Sequence, residues 1–190
     1  MAKIGIKGLV YAPVTGGGVY TAVTYSTGVA LDDYMIRADL NEERSDIKFY
    51  ADDHQIDAEN GVNGVSLSLE LSNMTDDLEK ALLGYKSGTG DELNVTDADA
   101  PFVGLGFTRK ERFKGAVTYH SFWIYKIQFS KDSDSAQTKG ETIDFQTESL
   151  SGNAMGVTLS AGGDTIYYSH IRSTVESTAV SWLKGKAGIS

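Results

Sequence analysis

Across residues 65–72 the chain alternates without exception. Val65, Leu67, Leu69 and Leu71 are apolar, while Ser66, Ser68, Glu70 and Ser72 are small or polar. Successive side chains of an extended backbone point to opposite faces, so this order makes a strand with one greasy face and one wet face. In a helix the same order would scatter the leucines around the whole circumference. The period recurs where Tyr34, Ile36, Ala38 and Leu40 alternate with Asp33, Met35, Arg37 and Asp39. It appears once more over residues 142–148, with Ile143 and Phe145 set against Asp144, Gln146 and Glu148. Shorter strands are predicted over residues 3–11, 20–24, 46–51, 101–108 and 165–170.

Residues 117–129 break the one-sided rule. Val117, Tyr119, Trp123, Tyr125, Ile127 and Phe129 share one face, but Phe122 and Ile124 occupy the other. A strand apolar on both faces has to be covered twice. Either a helix of the same chain lies over it, or a neighbouring subunit does. In the second case Tyr119, Phe122, Trp123, Ile124 and Tyr125 become candidates for a ring interface between copies.

Two short helices are predicted among the strands. Asp76 and Glu79 are spaced as a capping pair ahead of Leu78, Leu82 and Leu83, and Gly84 closes a helix of about residues 76–83. Ser173 and Glu176 have the spacing of a capping box before Val175, Ala179, Trp182 and Leu183, giving a C-terminal helix of about 174–184 ahead of Gly185. The fold class expected is therefore α+β, mainly β, as a single domain over residues 1–190 with a C-terminal extension over 151–190.

Composition narrows the function classes. The net charge is -9, and no cysteine is present to build a disulfide or a thiolate metal site. A protein that grips nucleic acid normally carries the opposite sign, since phosphate contacts need Lys and Arg. No apolar run approaches the roughly 20 residues that cross a bilayer, so no membrane partner is expected. The start Met1-Ala2-Lys3-Ile4-Gly5 lacks a secretory apolar stretch, so a cytoplasmic site of synthesis is expected. Charge is also unevenly placed. Residues 31–60 are rich in acids, Glu42, Glu43, Asp52 and Asp53 among them, whereas Arg109, Lys110, Arg112 and Lys114 surround a single Glu111. These two segments can pair between neighbouring copies, or each can stand solvated.

Signals for chemistry are weak. His54, His120 and His170 fall in no metal-binding spacing, and no serine sits in a nucleophile elbow. Gly88-Thr89-Gly90 and Gly104-Leu105-Gly106 precede no phosphate-binding helix. No catalytic, cofactor-binding or metal-binding residue is assigned, no cofactor is expected, and the expectation is a protein that is not an enzyme.

Five segments in order carry a resemblance. They are Lys7-Gly8-Leu9-Val10-Tyr11-Ala12-Pro13, Phe49-Tyr50-Ala51-Asp52-Asp53, Ala100-Pro101-Phe102-Val103-Gly104-Leu105-Gly106-Phe107, Trp123-Ile124-Tyr125-Lys126, and Lys139-Gly140-Glu141-Thr142-Ile143-Asp144-Phe145-Gln146-Thr147. Together they resemble the major tail proteins of long-tailed, non-contractile bacteriophages and prophages, mostly of Gram-positive hosts. The likeness runs from about Lys3 to Thr147 and more loosely through the Trp182 helix. No appended immunoglobulin-like domain of the kind some relatives carry is expected.

That resemblance implies a β-sandwich or barrel core with a flanking helix, hexameric rings stacked into a tube, and DNA passing through the lumen. It implies assembly in the bacterial cytoplasm and residence in the virion tail. The implied partners are further copies of the chain, a tape measure protein, a tail terminator and distal tail or baseplate proteins, with double-stranded DNA in transient, non-specific passage. Residues 41–63 become the candidate stacking loop, and the wet faces holding Ser66, Ser68, Glu70, Asp144, Gln146 and Glu148 become candidates for the lumen wall. Other readings are a tube subunit of a genome-free phage-derived particle, and a β-sandwich binding module presenting Trp123, Tyr125 and Tyr167 as an aromatic platform.

Overall fold

The strand anticipated at residues 65–72 is the last part of a longer one. In the computed structural model, which describes residues 2–51, 54–133 and 147–189 (backbone alone for 46–51, 54–60 and 132–133), it belongs to β5, His54–Leu71. The elements before it are β1 (Ala2–Gly16), β2 (Thr24–Tyr25), β3 (Val29–Leu31) and β4 (Met35–Ala51). After it come α1 (Asp76–Leu83), β6 (Lys86–Ser87), β7 (Leu93–Asn94), β8 (Val103–Phe113) and β9 (Ala116–Ser133). The chain finishes through β10 (Glu148–Ala154), β11 (Val157–Thr158), β12 (Thr165–Ile166), β13 (Tyr168–Ser173) and α2 (Glu176–Lys186). The protein is α+β and mainly β, as expected.

One antiparallel sheet dominates the described residues, in the order β2-β1-β8-β9-β10-β5-β4, with β3 joined to β1 and β13 joined to β9. β9 is the hinge of this arrangement. One edge runs along β8, while the other is shared: β13 pairs with Tyr119 to Ile124, and β10 takes over from Ile127 onward. The residues read as a C-terminal extension are thus woven into the sheet.

The register explains why β9 is apolar on both faces. Leu105 faces Ile124 and Val103 faces Ile127, so β9 contains an extra residue between those pairs. Such a bulge reverses the phase of alternation. Phe122 and Ile124 before it, and Ile127 and Phe129 after it, therefore reach the same core, together with Leu67, Leu69, Leu71, Leu105, Phe107 and the α1 leucines. Trp123 points the other way, into a second cluster with Val10, Ala12, Leu183 and Ala187 beneath α2. Of the two coverings proposed for this strand, the chain supplies its own.

Both helices end differently from the sequence expectation at their N-termini. Thr75 occupies the α1 cap without a side-chain hydrogen bond, while Gly84 closes the helix at φ 77° as predicted. Ahead of α2, Ser173 Oγ accepts from the Val175 amide at 3.0 Å, and Glu176 is turned outward to Lys7 Nζ at 2.7 Å. The capping box does not form because Glu176 has a lysine partner. Val175 is exposed, and Gly185 lies inside the helix rather than beyond it.

The pattern at residues 34–40 is shifted by another bulge. Met35 faces Leu71 and Arg37 faces Glu70, so Ile36 is the extra residue. Met35, Ala38 and Leu40 consequently pack on the core, and Ile36 is left exposed.

Candidate functional site

The candidate lumen wall is resolved by cross-strand register. Opposed residues of antiparallel strands share a face. Ser66 lies between Asn41 of β4 and Asn153 of β10, and Gln128 of β9 completes the row. Ser68 lies between Asp39 and Ser151, followed by Ser130. Glu70 lies between Arg37 and Ser149, and its carboxylate accepts from Thr147 Oγ1 at 2.7 Å. The four strands thus offer one broad face of Asn, Ser, Gln and acids, turned away from the leucine core. Arg37, which is not among the residues named for this wall from the sequence, also stands in it. Its charge is met by an ion pair with Asp39 two residues along the strand.

Glu148 does not belong to this face. It opposes Leu71, on the core side, while Ser149 opposes Glu70. The phase of β10 is set by Leu150, fully buried against the core, and Glu148 shares its parity. At the core margin Glu148 pairs with Lys131 at 3.2 Å, and Lys131 also reaches Glu79 of α1 at 3.8 Å. Asp144 and Gln146, with most of the strand predicted over 142–148, lie outside the described residues.

The candidate ring interface is largely interior. Trp123 and Ile124 are fully buried and Phe122 nearly so, within the chain's own clusters. No neighbouring copy is needed to cover them, and the interface assignment fails for these three. Trp123 sits against two bare stretches of backbone. A Cβ on Gly104 would lie 2.6 Å from its Cζ2, and one on Gly106 would lie 2.7 Å from its Cε3. The glycine signal at 104–106 is thus a trough for an indole ring. Trp123 Nε1 donates to Tyr25 Oη at 3.3 Å, and Tyr25 in turn donates to the Tyr125 carbonyl at 2.8 Å. Burial pushes the Tyr25 hydroxyl up to about 12, so it stays protonated as that relay requires. The same burial removes Trp123 from any exposed aromatic platform. Only Tyr119 and Tyr125 among the five remain half-exposed.

Residues 41–63 are not a loop. They belong to an antiparallel hairpin whose ladder continues from Asn41 opposite Ser66 to Ala51 opposite His54. β10 accompanies β5 only over Val65 to Leu71. Beyond that, among the described residues, the two strands pair only with each other, so the hairpin leaves the sheet as a ribbon. At about 3.4 Å per residue, the eight positions from Arg44 to Ala51 extend roughly 27 Å.

The charges expected to pair between copies are partly engaged within the chain. Glu42 receives Arg44 at 2.7 Å on one oxygen and the Tyr168 hydroxyl on the other. The Tyr168 hydrogen bond, with Arg44, holds its carboxyl below the ordinary range. Arg109 binds Glu111 through Nη2 at 2.7 Å. Glu42 and Arg109 therefore each have a partner within the chain already. Glu43, Lys110, Arg112 and Lys114 are exposed, and the last three do crowd a hairpin tip. That tip turns through Lys114 and Gly115, both at positive φ, the geometry that matches strand twist in a two-residue turn. Asp52 and Asp53 lie outside the described residues.

Sequence reasoning missed one polar cluster. Arg109 of β8, His120 of β9 and Arg172 of β13 are direct cross-strand neighbours. Burial pushes the Glu111 carboxyl up, but the Arg109 hydrogen bond and charge, with His120, outweigh it and leave it below the usual range. Burial and the Arg172 charge press His120 down to about 4, against the pull of Glu111. The sequence signal lay in a spacing: Arg109 and Glu111 share parity on one strand, as do His120 and Phe122 on the next.

Against known proteins, no family model matches the chain, and no curated protein matches its sequence.

Proposed function

We propose that this chain is the structural subunit of a bacteriophage-type tail tube, forming stacked hexameric rings around a lumen that double-stranded DNA crosses. The observation that carries this reading is the β4–β5 ribbon. A two-stranded ribbon standing alone in water is at best marginally stable. Its backbone ladder, prolonged well past β10, is suited to lying on a second copy. Such a ribbon serves ring stacking in the role assigned to residues 41–63, as a strand pair rather than a loop.

The broad polar face over β4, β5, β10 and β9 supports the second half of the proposal. DNA carries a negative charge about every 1.7 Å along its axis. A wall that lets it slide has to offer few fixed cations. Among the described residues of the three rows named above, Arg37 is the only cation, and Asp39 neutralises it. Ser66, Ser68 and Glu70 are its central members, so these three keep the lumen assignment. The partners implied are further copies of the chain, a tape measure protein, a tail terminator and distal tail proteins, with assembly in a bacterial cytoplasm and residence in a virion.

Negative-stain microscopy of concentrated protein tests the reading. Rings or tubes with a central channel are the expected result, and uniform single particles at every concentration overturn it. Replacing Ser68 and Ser151 with Lys separates the lumen assignment from the assembly claim. Tubes should still form but retard DNA passage; unimpaired passage places this face on the outside.

A further inference from the structure

A cleft of about 490 Å³ opens between β4 and the β8–β9–β13 side of the sheet. Leu40, Glu42, Arg109, His120, His170 and Arg172 are among its walls. Its polarity is unusual in a chain of net charge -9. Glu42 is its one acid, and both of its oxygens are already taken, by Arg44 and by the Tyr168 hydroxyl. Glu111 behind the cleft is likewise committed to Arg109, at 2.7 Å. Arg172 is different. It is exposed, and no carboxylate pairs with it among the described residues.

A second observation points to a ligand. His120 is only 4% exposed, and its Nε2 is buried without a hydrogen-bond partner among the described residues. Its Nδ1 lies 3.3 Å from Arg109 Nη2, a group that can only donate. Glu111 Oε1, which can only accept, stands farther off at 3.5 Å, so the closer Arg109 contact makes Nδ1 the acceptor and leaves the ring proton on Nε2 as an unanswered donor. An orphan of that kind is costly to bury unless an acceptor reaches it. Above it stands His170, exposed, its ring 4.8 Å away and nearly perpendicular. Register carries the same arrangement across three strands, with Arg109, His120 and Arg172 in one row and Phe107, Phe122 and His170 in the next. The aromatic row makes an apolar floor beside a cationic one.

We propose that this cleft binds a small oxyanion of the phosphate or carboxylate class. Arg172 and His170 hold it at the mouth, Arg109 supports it with the Nη1 donors that Glu111 leaves unused, and His120 supplies an N–H from beneath. The volume lies in the range of small-molecule sites and exceeds a bare ion, so the anionic group can be carried on a small organic body. Its arginines and histidines lie on β8, β9 and β13, outside the rows assigned to the lumen, and the proposal goes beyond the tube reading.

The three histidines supply their own control. Titrating the full chain with inorganic phosphate, with the imidazole resonances followed by NMR, should shift His170 and His120 saturably and leave His54 unmoved. Arg172→Gln removes an exposed side chain with no carboxylate partner among the described residues, so it should fold normally and weaken the apparent affinity at least about tenfold, the loss of one charged hydrogen bond. His170→Gln should weaken it to a lesser degree. Equal, unsaturated drift of all three histidines indicates ionic strength alone and overturns the proposal. So does an Arg172→Gln variant that binds phosphate as the parent does. Shifts that follow protein concentration and ignore phosphate place another copy in the cleft, which also overturns it.

Discussion

β4 and β5 each cross two environments, and the contrast between their halves separates what folds from what assembles. From Met35 to Glu43 and from Gly64 to Leu71 they lie in the sheet, with β10 alongside and four leucine or valine side chains of β5 fully or nearly buried. Beyond Arg44 and Val62 the same strands keep their mutual ladder and lose their third neighbour. In the sheet, backbone pairing comes with buried apolar area at roughly 25 cal/mol per Å². In the ribbon, pairing stands without a third strand among the described residues to support it. The body should hold itself together as a lone chain, while the ribbon is placed to spend its backbone order on a partner.

The sharpest way to break that comparison is at Trp123, the largest fully buried side chain, covered by α2 and seated on Gly104 and Gly106. Trp123→Ala should destabilise the lone subunit by about 3–5 kcal/mol, through lost transfer free energy and the cavity left behind. Urea unfolding followed by far-UV dichroism measures it. A loss under about 1 kcal/mol means that α2 does not close over β9 in the isolated chain, and the double covering would then have to come from assembly.

Acid should act on the body next most strongly. His120 is held neutral in the fold, pressed down to about 4 by burial first and by Arg172 and His170, against Glu111. In the unfolded chain it titrates near 6.5. The unfolded state therefore takes up a proton that the native state refuses. Stability should fall as pH drops from about 6.5 towards 4, by about 3 kcal/mol in total, and this contribution should be complete above that window. Below it, Glu111 adds a further loss, because its carboxyl is held under the ordinary range in the fold. Urea midpoints across the window measure the slope, and His120→Gln should flatten it. A parent protein with no slope there means that the imidazole is solvated.

A smaller effect is expected at Gly106. A Cβ there would lie 2.6 Å from Leu183 Cδ2 and 2.7 Å from Trp123 Cε3. Both are side-chain atoms, so some relaxation is available, and Gly106→Ala should cost about 1–3 kcal/mol by overpacking. A neutral result means that α2 rides loosely on the sheet.

The alternation of β5 was legible because its leucines face the core at every second position and no bulge interrupts them. Fold class and the Gly84 stop of α1 follow from equally local chemistry. What stayed hidden were changes of phase. The bulges at Ile36 and within β9 each add a single residue, and their composition is that of ordinary strand. The parity of Glu148 was hidden for a related reason, since it depends on Leu150 rather than on the residues before it. In the candidate site, Ser66, Ser68 and Glu70 could be assigned to one wet face from sequence, whereas Arg37 could not, because a bulge sets its partner. The ribbon read as a loop because an acidic segment outside the sheet has no buried face to impose a period. His120 and its arginines were invisible individually and meaningful only once three strands brought them into a row.

The smallest effect on the lone chain is expected from removing the ribbon itself. Replacing residues 45–61 with Asn-Gly keeps Arg44 opposite Val62 as the closing pair, and so keeps the Arg44–Glu42 ion pair at 2.7 Å. Asn-Gly supplies the positive φ that a two-residue hairpin turn requires. The deletion leaves the described strand pairings of the body as before and, among the described side chains, removes the Ser45 hydroxyl contact to Asn63, at 3.4 Å and exposed. Its effect on urea-unfolding free energy should stay within about 0.5 kcal/mol, as for surface changes that touch no core. Self-association should respond quite differently. Sedimentation of the parent at rising concentration is expected to show assemblies that lengthen, whereas the deletion variant should stop at the subunit or at single rings. A variant that loses several kcal/mol would show that the ribbon folds back on its own body. One that still forms full-length tubes would show that stacking uses another surface, and either outcome dissolves the division between the two halves of these strands.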